Sequence, residues 1–190
     1  MIKRIIYSII LAILVSTQSN ALIEVDITRG NLDPLPIAVS PLSADKDTDI
    51  KIKNKLKIDK VGHKIAEVVE NNLKNSGLFN PLNKDAFLQK PDIAHLKPRF
   101  EDWALIKAQA LITGKVILKD EKLRVEFRLW DVLAAKEMMA LAFTTVPSNW
   151  RRIGHIITDK IYERLTGEKG YFDTRIIYVA EEGPKTKRIK

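Results

Sequence analysis

The 190-residue chain contains no cysteine and only three histidines, His63, His95 and His155, which are far apart in sequence. The first absence excludes disulfide frameworks, thiolate zinc sites, iron–sulfur clusters and cysteine nucleophiles. The second argues against a histidine-rich metal centre, because a metal needs several convergent ligands. Phosphate-binding glycine loops are missing as well. The one echo, Thr113-Gly114-Lys115, fails because Gln109 stands where the loop needs its first glycine and Val116 where it needs Ser or Thr. No Gly-x-Ser-x-Gly elbow, His-Glu-x-x-His pair or calcium-loop spacing occurs. The expectation is a non-enzymatic chain with no catalytic residue, metal, cofactor or small-molecule substrate.

Hydrophobic residues make up 45% of the chain and charged residues 29%, which fits one domain with a core and neither a disordered tail nor a multi-span membrane protein. At the front, Lys3 and Arg4 precede an apolar run from Ile5 to Val15, with small residues Ser19 and Ala21 a little further on. This is the pattern of a secretory signal cleaved between Ala21 and Leu22, and the run is shorter than the ~20 apolar residues of a spanning helix. Cleavage leaves 169 residues and lowers the formal net charge from +8 to +6, since Lys3 and Arg4 are lost. Export takes the chain away from chromosomal DNA and RNA, so no nucleic-acid partner is expected. The lysines within residues 46–64 alternate with isoleucine and leucine without an aromatic among them, which reads as a solvated face and, secondarily, as an anionic-surface binder.

In residues 22–28, Ile23, Val25 and Ile27 alternate with Glu24, Asp26 and Thr28, a strand signature stopped by Arg29-Gly30-Asn31. Residues 35–42 form a second extended run, whose neighbours Pro34, Pro36 and Pro41 favour an edge or the end of a sheet. From Asp59 the period changes to a helical one through Val61, Ile65, Val68, Val69 and Leu73, closed by Gly77. Residues 78–82 read as a short strand, and residues 85–88 and 101–107 as brief helices around a proline-bearing loop. Strands follow over 109–118 and 122–132, joined by Lys119-Asp120-Glu121, and over 137–146. In the second of these, Leu123, Val125, Phe127 and Leu129 share a core face while the other face is wet. Ser148 is the expected N-cap of a last helix striped by Trp150, Ile153, Ile157, Ile161 and Leu165 and closed by Gly167, after which residues 174–179 begin another strand. The fold class is α/β: a single mixed β-sheet with two main helices packed on it.

The pairs His63/Glu67 and His155/Asp159 lie four residues apart on these helices, a spacing suited to an intrahelical pair and also to half of a metal site. An envelope hydrolase or metal-dependent enzyme using His155 and Asp159 is therefore the alternative reading. Trp103, Trp130 and Trp150 fall on separate predicted elements and read as core or rim anchors. A short strand ahead of the first core element can complete its own sheet or lend its backbone to a neighbour's sheet edge, and the residues alone leave both open.

Several segments together resemble the TolB family of Tol–Pal envelope proteins, in its N-terminal domain. They are Leu22-Ile23-Glu24-Val25-Asp26-Ile27-Thr28-Arg29-Gly30, Pro36-Ile37-Ala38-Val39, Leu73-Lys74-Asn75-Ser76-Gly77-Leu78-Phe79-Asn80-Pro81-Leu82, residues Val125 to Asp131, Trp150-Arg151-Arg152-Ile153-Gly154-His155, and the stretch from Glu163-Arg164-Leu165-Thr166-Gly167-Glu168-Lys169-Gly170 through Tyr171-Phe172-Asp173-Thr174-Arg175-Ile176-Ile177-Tyr178-Val179. The resemblance implies a periplasmic protein in two parts, an N-terminal α/β domain and a C-terminal β-propeller. It implies that a leading segment, here Leu22, Ile23, Glu24, Val25, Asp26, Ile27, Thr28, Arg29, Gly30, Asn31, Leu32 and Asp33, binds the inner-membrane protein TolA. It further implies that a propeller binds the lipoprotein Pal, that the segment's free or folded-back state regulates that binding, and that the system supports outer-membrane constriction in division and envelope integrity. The expected division is signal peptide 1–21, partner-binding segment 22–34, α/β domain 35–170, and the start of a truncated propeller at 171–190. Pal would be a partner only if a propeller is supplied elsewhere. The lysine-rich residues 43–57 are longer than the family's usual loop, and nothing in the sequence explains them.

Overall fold

The computed structural model describes residues 33–44 and 58–175. Two long helices dominate it, α1 (Ile58–Asn75) and α4 (Trp150–Thr166). Each buries the stripe that its sequence period predicts: Val61, Ile65, Val69 and Leu73 on α1, and Ile153, Ile157, Ile161 and Leu165 on α4. Burying a side chain of this size contributes about 1.5–3 kcal/mol, so docking rather than helix propensity holds them. Gly77 and Gly167 follow the two helices at φ +76°, a left-handed conformation that costs a glycine nothing. Ser148 is not the N-cap of α4. Pro147 draws residues 147–149 into a 3-10 turn, and Asn149 precedes the helix, its side chain turned back to donate to Thr145 Oγ1 at 3.4 Å.

The strands are β1 (Leu35–Val39), β2 (Ser43–Ala44), β3 (Phe79–Pro81), β4 (Ala110–Lys119), β5 (Lys122–Asp131) and β6 (Lys136–Thr145). They form one mixed sheet in the order β3-β1-β4-β5-β6, with β2 also pairing β4. β1 runs parallel to β3 and β4, β2 parallel to β4, and β4, β5 and β6 form an antiparallel meander. The β4–β5 turn places Asp120 and Glu121 at φ 50° and 59°, the two positive values that a tight twisted hairpin requires.

Three expectations need correction. β1 is not an edge strand but lies between β3 and β4. Pro36 fits there because its carbonyl accepts from Gln109 N–H at 2.9 Å, just before β4 begins, so the donor it lacks falls ahead of the β4 ladder. The second face of the sheet is not uniformly wet either. Two short helices, α2 (Pro91–Leu96) and α3 (Phe100–Leu105), accompany a smaller core on that side, built from Ala38, Ala94, Trp103, Leu111, Trp130 and Val132. Finally, α2 has no counterpart among the expected elements, although Pro91 is well suited to its first position.

Candidate functional site

The candidate partner-binding residues 22–32, the cleavage point Ala21/Leu22 and the lysine-rich residues 45–57 lie outside the described residues. What the structure places is the base from which the leading segment departs. Asp33 and Pro34 are exposed, and Leu35 opens β1. From that first residue β1 is held on both flanks: Leu35 N–H donates to Leu78 C=O at 2.9 Å, Ile37 C=O accepts from Leu82 N–H at 2.9 Å, and Pro36 C=O accepts from Gln109 N–H. Pro34 and Pro36 restrict the residues before them, Asp33 and Leu35, to extended backbone. Asp33 therefore leads into a strand held by β3 at its start and by β4 from Ile37 on.

Of the two helix pairs considered for metal chemistry, only His155 and Asp159 make hydrogen bonds within the fold among the described residues. His63 and Glu67 are exposed on α1. His155 Nδ1 meets Asn72 Nδ2 at 2.9 Å, and the same amide nitrogen donates to Thr158 Oγ1 at 3.1 Å, tying α4 to α1. Gly154 lets the two helices approach, since a Cβ there would stand 2.7 Å from Val68 Cγ1. Asp159 turns the other way. Its Oδ1 accepts from Phe172 N–H at 2.7 Å and its Oδ2 from Asp173 N–H at 3.1 Å. Among the described residues, no three His, Cys, Asp or Glu side chains are grouped as a metal site would require.

Asp159 belongs to a clasp that binds residues 170–173 to α4. Arg152 forms a two-point ion pair with Asp173, at 3.0–3.2 Å. Gly170 passes so close that a Cβ would lie 2.4 Å from Asp159 Cα. Tyr171 and Phe172 stack on each other at 4.5 Å between centroids, and both meet Tyr162 edge-on. Burial, followed by the nearby Tyr171 and Glu168, pushes the Tyr162 phenol above its ordinary pKa. Thr174 and Arg175 follow the clasp outside any strand, and the rest of the strand expected at 174–179 lies outside the described residues.

The smaller core is organised by Gln89, 4% exposed. Its Oε1 accepts from Arg99 N–H at 2.9 Å and Trp103 Nε1–H at 3.1 Å, and its Nε2 donates to Lys97 C=O at 2.9 Å. Trp130 Nε1–H donates to Thr113 Oγ1 at 2.9 Å. Both tryptophans are thus core anchors with satisfied polar tips, while Trp150 is half-buried, with Arg151 over its ring at 4.7 Å. Neither Gln89 nor the Asp159 clasp was found from sequence, because their partners sit at spacings without a period.

Comparison with known proteins supplies the family. Residues 23–138 match the family model described as the TolB amino-terminal domain. The Tol-Pal system protein TolB of Pelagibacter ubique (strain HTCC1062) is 75% identical over 184 residues, covering 97% of this chain and 41% of that protein. The chain thus spans about two-fifths of the length of this curated relative. The crystal structure of TolB from Acinetobacter baumannii has the same fold at 22% identity, with a TM-score of 0.58 over 74% of this chain and 30% of that one. An open mixed sheet carrying α1 and α4, together with these matches, establishes that the chain belongs to the TolB amino-terminal domain family of the Tol–Pal system.

Proposed function

We propose that the chain is a periplasmic, non-enzymatic binding module of the Tol–Pal system, exported by residues 1–21 and trimmed after Ala21. Its leading segment, residues 22–33, docks on a TolA-like inner-membrane protein by adding a strand to that partner's sheet. Main-chain hydrogen bonds supply affinity, while Ile23, Val25 and Ile27 on one side and Glu24 and Asp26 on the other supply selectivity. In this role the module supports outer-membrane constriction during division and envelope integrity, and it engages Pal only alongside a propeller.

The observation that carries this reading is the base of the segment. β1 pairs with β3 over Leu35–Ile37 and with β4 over Ile37–Val39, and two prolines hold its entrance extended, which supports a fixed anchor at Leu35 for the proposed segment. The alternative use of His155 and Asp159 in metal chemistry gains nothing from the structure, which gives each of them hydrogen-bond partners within the fold. Deleting residues 22–33 should abolish binding to TolA and leave the melting transition unchanged. Unchanged affinity after the deletion rejects the proposal.

A further inference from the structure

The sheet ends in two edges of opposite character. β3 is three residues long and finishes in Pro81, two features that discourage further pairing. β6 is ten residues long, contains no proline, and carries charge only at Lys136 and Glu137, its first two positions. No strand pairs its outer side among the described residues. A bulge at Met138, where Leu129 pairs Met139 and Trp130 pairs Glu137, guards its start. Arg164 Nε–H donates to the Met138 carbonyl at 3.4 Å, which closes that end of the strand. Among the described residues, the edge at residues 139–145 is open.

Cross-strand register gives this edge two distinct sides. Met139, Leu141 and Phe143 lie opposite Leu129, Phe127 and Val125 on the α4 side, and Leu141 remains 38% exposed. On the other side Ala140, Ala142 and Thr144, all exposed, lie opposite Arg128, Glu126 and Arg124. These small side chains leave the β5 charges partly open: the Arg124 and Arg128 side chains are 50% and 39% exposed, and Arg128 meets Glu137 in a long ion pair at 3.7 Å. A strand added to β6 would run two strand spacings from β5, about 9.6 Å away, within reach of an arginine laid across an alanine. Arg124 already donates from Nε to Glu126 at 2.8 Å, and the rest of its guanidinium fork is available for a second acceptor.

We propose that residues 139–145 of β6 are a second docking edge, distinct from the leading segment, whose occupant is an extended segment of another protein. That segment carries apolar residues beside Leu141 and Phe143, carboxylates four residues apart opposite Ala140 and Thr144, and a non-acidic residue between them opposite Ala142. The spacing follows from the alternation of charge along β5: Arg128 and Arg124 attract an acid, and Glu126 between them repels one. The chain's own leading segment fits poorly. Glu24 and Asp26 are two residues apart, so setting one opposite an arginine sets the other opposite Glu126 or beyond the open stretch. A second copy pairing through β6 would offer the arginines Ala140, Ala142 and Thr144, with no carboxylate among them.

The test is a titration of the full chain with the capped peptide Val-Glu-Val-Thr-Val-Glu-Val, which reads alike in both orientations. Its control, Val-Thr-Val-Glu-Val-Glu-Val, has the same composition with the acids two apart. The first peptide should bind about five- to tenfold more tightly and slow hydrogen exchange at the β6 amides facing away from β5. In the variant carrying Arg124→Glu, Glu126→Arg and Arg128→Glu, preference should pass to Val-Lys-Val-Thr-Val-Lys-Val. Absent or equal binding of the two acidic peptides, or binding without β6 protection, overturns the proposal. So does concentration-dependent β6 protection in the free chain, which would identify a second copy as the occupant. Protection that vanishes on deleting residues 22–33 would identify the leading segment and overturns it equally.

Discussion

Replacing Asp159 probes whether the stretch leaving α4 is held as a rigid continuation of the domain. Asp159→Ala removes the acceptors of two backbone amides, Phe172 N–H at 2.7 Å and Asp173 N–H at 3.1 Å. A hydrogen bond to a charged acceptor nets about 1.5–3 kcal/mol, and at this half-buried site roughly half of that survives solvent competition, so the pair contributes about 1.5–3 kcal/mol to keeping the clasp shut. The loss is local, because Arg152 still grips Asp173 and the core of α4 is untouched. Exchange at the Phe172 and Asp173 amides should accelerate about ten- to 150-fold, while the melting temperature falls by no more than about 4 °C. Asp159→Asn keeps one acceptor oxygen and should accelerate exchange about three- to tenfold. Amide exchange read by NMR on the intact chain is the assay. Unchanged exchange at both amides in Asp159→Ala, or a global loss of protection, refutes the reasoning.

Two further predictions concern the packing around the sheet. His95 is 6% exposed, and burial first, then the charges of Arg128 and Lys115, lower its pKa from 6.5, opposed by Glu126. The unfolded chain therefore takes up this proton before the folded one. Stability is fully present above about pH 6.5 and declines as pH falls through the lowered folded value, and His95→Leu should flatten that part of a stability–pH curve measured by urea unfolding. At Gly154, an alanine Cβ would stand 2.7 Å from Val68 Cγ1, and this overpacking outweighs the helix propensity that alanine gains. Gly154→Ala should cost about 1 kcal/mol in the same assay, with Val68→Ala beside it recovering most of the loss relative to Val68→Ala alone.

The long elements were legible because each carries many repeats of its own period. The α1 and α4 stripes and the alternation along β5 predict which faces are buried, and the structure buries them. Legibility failed where an element is short or its partners are distant. α2 spans six residues, too few for a stripe to emerge, and its neighbourhood is ordered by Gln89 acting on Lys97, Arg99 and Trp103. The interior place of β1 was obscured by Pro36, whose missing donor suggested an edge. Ser148 looked like a cap until Pro147 took the turn. The β5–β6 register, which sets Arg124 and Arg128 opposite small exposed residues, exists only once the strands are paired.

The central claim is that residues 22–33 bind TolA through their backbone as an added strand. Calorimetric titration of purified TolA into chains bearing Val25→Pro or Val25→Thr separates backbone from side chain, since proline deletes a main-chain donor and fixes φ while threonine keeps both donor and strand propensity. The account predicts that Val25→Pro reduces affinity at least about tenfold while Val25→Thr stays within a few-fold of the parent chain. Binding that tolerates the proline as well as the threonine would contradict it.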